Sequence, residues 1–226
     1  MFHSALSVTV GLSLLTATIL SVLSLPLAAW IVFSKSSWTM VGESVLTLTL
    51  VLPPAVLGYL ILEVFSPDSL PGRAMAHLLG HPLPFSFAGL LVASMIYSLP
   101  FAVSPVAQSF RQIPPGSLEM ARVLGAGHFT VFRKVVLPMS LSGLATGWVL
   151  GFAHTVGEFG VVMMVGGNIP GETRTLSLKA YDDLLSMQPN GARDPVLLLL
   201  LFSFISLIAL NFLRGKGGTL HGSEAS

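Results

Sequence analysis

Cysteine is absent from this 226-residue sequence, which excludes a disulfide framework, a thiolate metal site and thiol chemistry. Charge is scarce. Only 9% of residues are Asp, Glu, Lys or Arg, against roughly 25% in soluble domains, and the formal net charge is +1. So little charge leaves no electrostatic footprint for nucleic acid. No GxxxxGK[ST] motif occurs, so the chain carries no P-loop, and any use of ATP requires a partner to bind it. No internal repeat is visible, so the inverted-repeat design of many secondary transporters is not in evidence. What the sequence has is apolar length: 53% hydrophobic residues and a mean hydropathy of +0.82. The expected fold is all-α, a polytopic membrane protein with about five transmembrane helices.

The spans can be placed in order. Ala5 to Phe33 is one apolar run with Pro26 as a kink; it is too long for a signal-peptide core and no basic segment precedes it, with a cleaved signal as the alternative. Glu43 opens an amphipathic approach to a second span over Val45–Phe65. There Pro53 and Pro54 break helical hydrogen bonds, which points either to a pathway-lining broken helix or to an ordinary proline kink. Residues 66–84 read as a connecting loop. His77 and His81 in it have i, i+4 spacing, but Gly80 and Pro82 interrupt a helix and no third ligand is placed, so two solvated histidines are expected. The third span, Phe85–Phe110, is punctuated by Pro100 and Pro105 and carries Ser94, Ser98, Ser104 and Gln108.

The fourth span, Leu137 to Val165, has Gly143, Gly147 and Gly151 four residues apart, a smooth stripe that admits another backbone. His154 and Glu158 follow on one face. An ionisable pair in a membrane span points to function, or else to a buried pair that fixes helix position. At 1.5 Å per residue Glu158 lies about 30 Å from the preceding loop, at the far surface. In 166–194, Asn168 to Gly171 reads as a turn and Thr175–Leu185 as a short helix. The fifth span is Pro195–Phe212. One domain over 5–214 and a disordered polar tail over 215–226 are therefore expected.

Between the third and fourth spans lies a polar, basic island, EMARVLGAGHFTVFRKVVLP, from Glu119 to Pro138. Ser117 can cap a helix with Glu119 in its first turn. Gly125 and Gly127 can end it, a second short helix runs over 128–134, and Pro138 suits the first turn of the next span. Alone, these residues also read as a helix-turn-helix, but a DNA-reading helix does not sit between two membrane-length apolar runs. With this island on the cytoplasmic side, Lys35, Arg111, Arg122, Arg133, Lys134, Arg214 and Lys216 lie inside and Arg73, Arg174, Lys179 and Arg193 outside; seven against four places the N-terminus outside and the C-terminus in the cytoplasm.

The island resembles the coupling loop of ABC-transporter permease subunits, with Glu119, Ala121, Gly125, Leu137 and Pro138 at pattern positions and Met120 and Val135 as mild departures. Leu52–Leu62 (LPPAVLGYLIL), Gly157–Gly160 (GEFG) and Asn168–Leu176 (NIPGETRTL) further resemble permeases of molybdate importers, within a branch that includes sulfate and tungstate permeases. The resemblance spans nearly the whole chain. It implies a type I ABC importer permease in the cytoplasmic (inner) membrane, acting as a homodimer. It also implies two ATP-binding subunits that hold ATP and Mg2+, none being bound by this chain, and a periplasmic or lipid-anchored molybdate-binding protein. Pro53, Pro54, Pro100, Ser104, His154, Gly157, Glu158, Gly160 and Asn168 are the candidate pathway or gate residues, with no catalytic residue and no metal ligand, and Ser94, Ser98, Ser104, Thr146 and unwound backbone near the prolines are candidate hydrogen-bond donors to the anion. A proton-coupled carrier using His154 and Glu158 is the alternative of a different class.

Overall fold

The apolar runs do fold as helices, but two of them do not cross as single rods. The computed structural model describes residues 2–218. Among the described residues three helices are long and apolar enough to cross a membrane: α1 (Phe2–Phe33), α5 (Phe87–Arg111) and α12 (Pro189–Gly218, whose apolar part is Pro189–Leu213). α1 contains Pro26 without a break, and α5 runs unbroken through both Pro100 and Pro105. The punctuation expected of the third span is therefore absent. The polar tail expected over 215–226 lies beyond the described residues from 219 onward, and α12 runs on through Gly218.

The second span is two helices, α2 (Trp38–Val51) and α3 (Pro54–Val64), bent by 117°. That exceeds any proline kink. Pro53 and Pro54 have no N–H, so the carbonyls of Thr49 and Leu50 lose their i+4 donors in succession and the helix cannot continue. α4 (Leu70–Leu79) occupies what the sequence offered as loop; Ser69 caps it by accepting from the Gly72 N–H, and Gly80 stops it at φ +76°. The helix ends before His81, whose Nδ1 lies 2.9 Å from the Pro82 carbonyl, and no group of metal-ligating side chains forms among the described residues.

α6 (Pro115–Val123) begins earlier than expected: Pro114 is its N-cap and Ser117 lies inside the first turn. A continuous helical stretch then covers α7 (His128–Val131), a π-helical segment (Phe132–Val136) and α8 (Leu137–Met139). The wide turn relieves the clash between the Pro138 ring and the carbonyl four residues back. The chain bends by 65° before α9 (Leu141–Gly157). Pro138 thus sits in a short helix below the span rather than in the span's first turn. α9 also ends eight residues before Val165: Glu158 is extended at φ −60°, ψ 136°, and a new helix, α10 (Gly160–Gly166), follows. α11 (Leu176–Leu185) is capped by Thr175, which accepts from the Leu178 N–H.

α1, α5 and α9 pack as the central trio. Gly147 brings α9 against α5 so closely that an added Cβ would lie 2.7 Å from the Ala102 carbonyl oxygen; the space at Gly151 is ordinary, with Ala17 Cα at 3.9 Å. The glycine stripe is a packing seam along part of its length only. One core cluster (Ala28, Ile31, Val103, Val106, Phe110, Ile113, Val131, Val136) ties α1 and α5 to the α6–α8 hairpin. Another (Leu57, Ile61, Ala93, Val161, Val165) joins α3, α5 and α10. α12 is mostly exposed along Leu197, Leu200, Leu201, Phe204, Ile205 and Ile208, the face a lipid-contacting helix presents.

Candidate functional site

The α6–α8 hairpin is anchored on one side and open on the other. Leu118, Ala121 and Ala126 pack on the core cluster beneath, while Met120, Val123, Leu124 and Phe129 are 67%, 86%, 81% and 74% exposed. Ala121 therefore faces its own chain, and Glu119 is exposed beside Met120. Gly125 stops α6 at φ +80°, and the Ala126 N–H reaches back to the Ala121 carbonyl at 3.1 Å. Nothing lies within 4 Å of a Cβ at Gly125, so the glycine answers to backbone conformation alone. Gly127, at φ −68°, is an N-cap and not a second left-handed stop. Leu137 is half-buried and Pro138 exposed at the base of the hairpin. Four large apolar side chains thus stand exposed on a short hairpin beyond the membrane-length helices.

The second centre is the break between α9 and α10. The Glu158 side chain is fully buried, yet both of its oxygens are satisfied: Ser94 Oγ donates to Oε2 at 2.5 Å and Ser98 Oγ to Oε1 at 2.7 Å. His154 Nδ1 lies 2.9 Å from Ser98 Oγ, which brings the imidazole into the same hydrogen-bonded cluster. His154 Nδ1 is also 3.4 Å from Oε1, and Thr155 Oγ1 lies 3.0 Å from Ser98 Oγ. The imidazole is stacked on Phe101, with centroids 4.0 Å apart, and edge-on to Tyr97. Ser177 Oγ of α11 donates to the Glu158 carbonyl at 2.6 Å. Charge-assisted hydrogen bonds of this kind contribute about 1.5–3 kcal/mol each, which is what offsets burying the carboxylate. Glu158 thus joins α5 and α9 through its side chain and α11 through its backbone carbonyl. The i, i+4 pair does meet, but at a helix end rather than along a helix face, and Glu158 lies inside the packed core of the chain.

The two breaks touch each other. A Cβ at Gly160 would lie 2.8 Å from Pro54 Cβ and 3.3 Å from the Ala55 nitrogen, and one at Gly58 would lie 2.7 Å from Met164 Cβ. The glycines of LPPAVLGY and GEFG let α3 and α10 meet backbone to backbone. Gly157, with nothing within 4 Å, has no such requirement. Pro53 is exposed and Pro54 partly buried at this contact. Beyond α10, Asn168 takes the left-handed conformation at φ 57°. Its Nδ2 donates to Asp182 Oδ2 at 2.7 Å, and its Oδ1 accepts from Arg174 Nε at 2.9 Å. Arg174 also pairs with Asp182 at 3.1 Å. Thr173 Oγ1 closes the loop, donating to the Gly166 carbonyl and accepting from the Ile169 N–H. The NIPGETRTL stretch is a hydrogen-bonded clamp onto α11.

The third feature is a polar face on α5. Pro100 is buried, but Ser104, Gln108 and Arg111 are exposed along one side, and Gln108, Ser109 and Gln112 face Ser142 and Thr146 of α9 across a groove of about 280 Å³. A polar face on a membrane helix belongs against water or protein, not lipid. Ser94 and Ser98, which the sequence offered as free donors, are committed to Glu158; Ser104 makes no hydrogen bond among the described residues. The serine partners of Glu158 and the facing pair Glu43 and Arg111, which form an ion pair between α2 and α5, were not legible as pairs in the sequence.

Comparison with known proteins places these features in a wider set. Residues 21–215 match the family described as binding-protein-dependent transport system inner membrane component. The chain is 42% identical over 207 residues to the molybdenum transport system permease protein ModB of Azotobacter vinelandii, covering 92% of each chain. It is 30% identical over 218 residues to the sulfate transport system permease protein CysW of a Synechocystis strain, covering 96% of this chain and 78% of that one. The fold is similar to that of a chain in a bacterial ABC transporter involved in alginate import, with a TM-score of 0.73 at 18% identity, covering 97% of this chain and 80% of that one.

Proposed function

We propose, from the premise that this chain belongs to the family of binding-protein-dependent transport system inner membrane components, that it is the membrane-spanning permease of a molybdate importer. The observation that carries the substrate is the 42% identity with a molybdenum permease across 92% of both chains. Sulfate is the second reading, supported by the 30% identity with a sulfate permease.

Two copies of the chain enclose a central pathway with their polar α5 faces turned toward it. The hairpin surface of Met120, Val123, Leu124 and Phe129 docks in a groove on an ATP-binding subunit, one for each copy, and ATP and Mg2+ are held there. The N-terminus is outside and the C-terminus cytoplasmic, so a molybdate-binding protein docks on the side of α4 and α11. Closure of the two ATPases draws the hairpins together. Because the hairpin shares its core cluster with α1 and α5, that motion is carried into the spans. The buried Glu158 cluster keeps the α9–α10 break, and hence the α3–α10 contact, in one arrangement as the helices move. Glu158 positions the gate and does not touch the anion, which its charge would repel.

The experiment is ATP hydrolysis by the permease reconstituted with its ATPase and binding protein, with molybdate, tungstate and sulfate added in turn. Stimulation by molybdate and tungstate supports the substrate assignment. Stimulation by sulfate alone retains the permease and overturns the substrate.

A further inference from the structure

Arg111 is the only charged residue of α5 and Glu43 the only one of α2. The two form an ion pair at the ends of these helices nearest the coupling hairpin, with side chains 54% and 46% exposed. They border a cavity of about 270 Å³ whose other polar lining is Ser104 and Thr47. The Thr47 hydroxyl is occupied with the Glu43 carbonyl of its own helix, at 2.9 Å. The Ser104 hydroxyl makes no hydrogen bond among the described residues. Ser104 and Arg111 are seven residues apart, two turns of α5, so they share one face of the helix and line the same cavity. A space of that size has room for a tetrahedral oxyanion with part of its hydration shell.

A guanidinium binds a tetrahedral dianion with two parallel hydrogen bonds. Left bare at the end of a pathway, it would hold its cargo. A transport site must bind well enough to admit the ion and weakly enough to let it go. Here the Glu43 carboxylate occupies Arg111, in a half-exposed pair of the kind that contributes little to stability and opens readily. We propose that this cavity is an exit site for a tetrahedral oxyanion, in which Arg111 and the Ser104 hydroxyl bind the anion while Glu43 competes for Arg111 and keeps the site weak. The inference rests on the permease reading above.

The test is equilibrium binding of radiolabelled molybdate to the purified permease–ATPase complex without binding protein. Glu43→Gln frees Arg111, and affinity rises about ten- to a hundredfold over wild type, the effect of one charge-assisted interaction. Arg111→Gln in the same background returns it to the wild-type level, and Ser104→Ala in that background weakens it several-fold. Glu43→Asp, which draws the charge back by one methylene, falls between wild type and Glu43→Gln and serves if the latter does not assemble. Equal binding by Glu43→Gln and the double variant, or no gain in either Glu43 variant, overturns the exit site. Loss of ATP-driven molybdate uptake by the wild-type complex itself would instead overturn the permease reading, so the two failures are distinguishable.

Discussion

Gly147→Ala and Gly151→Ala make the same chemical change four residues apart on α9, and the structure separates them. At Gly147 the new methyl carbon would sit 2.7 Å from the Ala102 carbonyl oxygen and 3.4 Å from its Cα and C, all backbone atoms of α5. Nothing there can rotate away, so α5 and α9 must separate by a good part of an ångström. Overpacking of that kind costs about 1–3 kcal/mol. At Gly151 the nearest atom is Ala17 Cα at 3.9 Å, an ordinary contact. Both variants gain the same helix propensity from Gly→Ala, so that contribution cancels in the comparison. The difference of about 1–3 kcal/mol corresponds to roughly 2–12 °C in melting temperature for a chain of this size. Thermal unfolding of the two purified variants in one detergent at one scan rate measures it. Gly147→Ala melts lower; equal melting temperatures, or Gly151→Ala melting lower, would refute the close-approach argument.

Gly125→Ala places a side chain at φ +80° with no neighbour within 4 Å, so its cost is conformational, about 1–2 kcal/mol, and local to the hairpin. The expected result is a roughly 5- to 30-fold loss of affinity for the ATP-binding subunit with the melting temperature of the permease nearly unchanged, read by titrating one subunit into the other. Glu158→Gln keeps the shape but replaces one acceptor oxygen by a donor, so one of the Ser94 and Ser98 hydroxyls loses its partner. A destabilisation of about 1–3 kcal/mol and a several-fold loss of uptake are expected, larger for Glu158→Ala; full uptake by Glu158→Gln would end the gate assignment.

Much of this chain was legible because its physics is local or compositional. Apolar length announced α1, α5 and α12, and the short helix expected over Thr175–Leu185 is α11, one residue shorter because Thr175 is its cap. Gly125 stopped α6 as a glycine in a left-handed turn does. What could not be read was tertiary. Pro53 and Pro54 broke a span while Pro100 and Pro105 did not: a tandem pair removes two successive donors, whereas single prolines leave a gap that neighbouring helices can absorb. The end of α9 at Gly157 has no local breaker strong enough to foretell it. It is set by Glu158 turning out of the helix to meet Ser94 and Ser98, some sixty residues earlier in the chain. Those serines looked like free donors for an anion, since nothing in their spacing shows that a carboxylate already holds them. Likewise Gly58 and Gly160 made sense as motif letters only once α3 and α10 were seen touching.

The most direct measurement is ATP-driven uptake of radiolabelled molybdate into proteoliposomes holding this permease, its ATP-binding subunit and its binding protein. The account predicts accumulation that needs ATP and binding protein, survives excess sulfate, and is lost when the exposed hairpin residues Leu124 and Phe129 are both changed to Asp. Molybdate uptake that continues without the ATP-binding subunit, or with the hairpin surface destroyed, would contradict it.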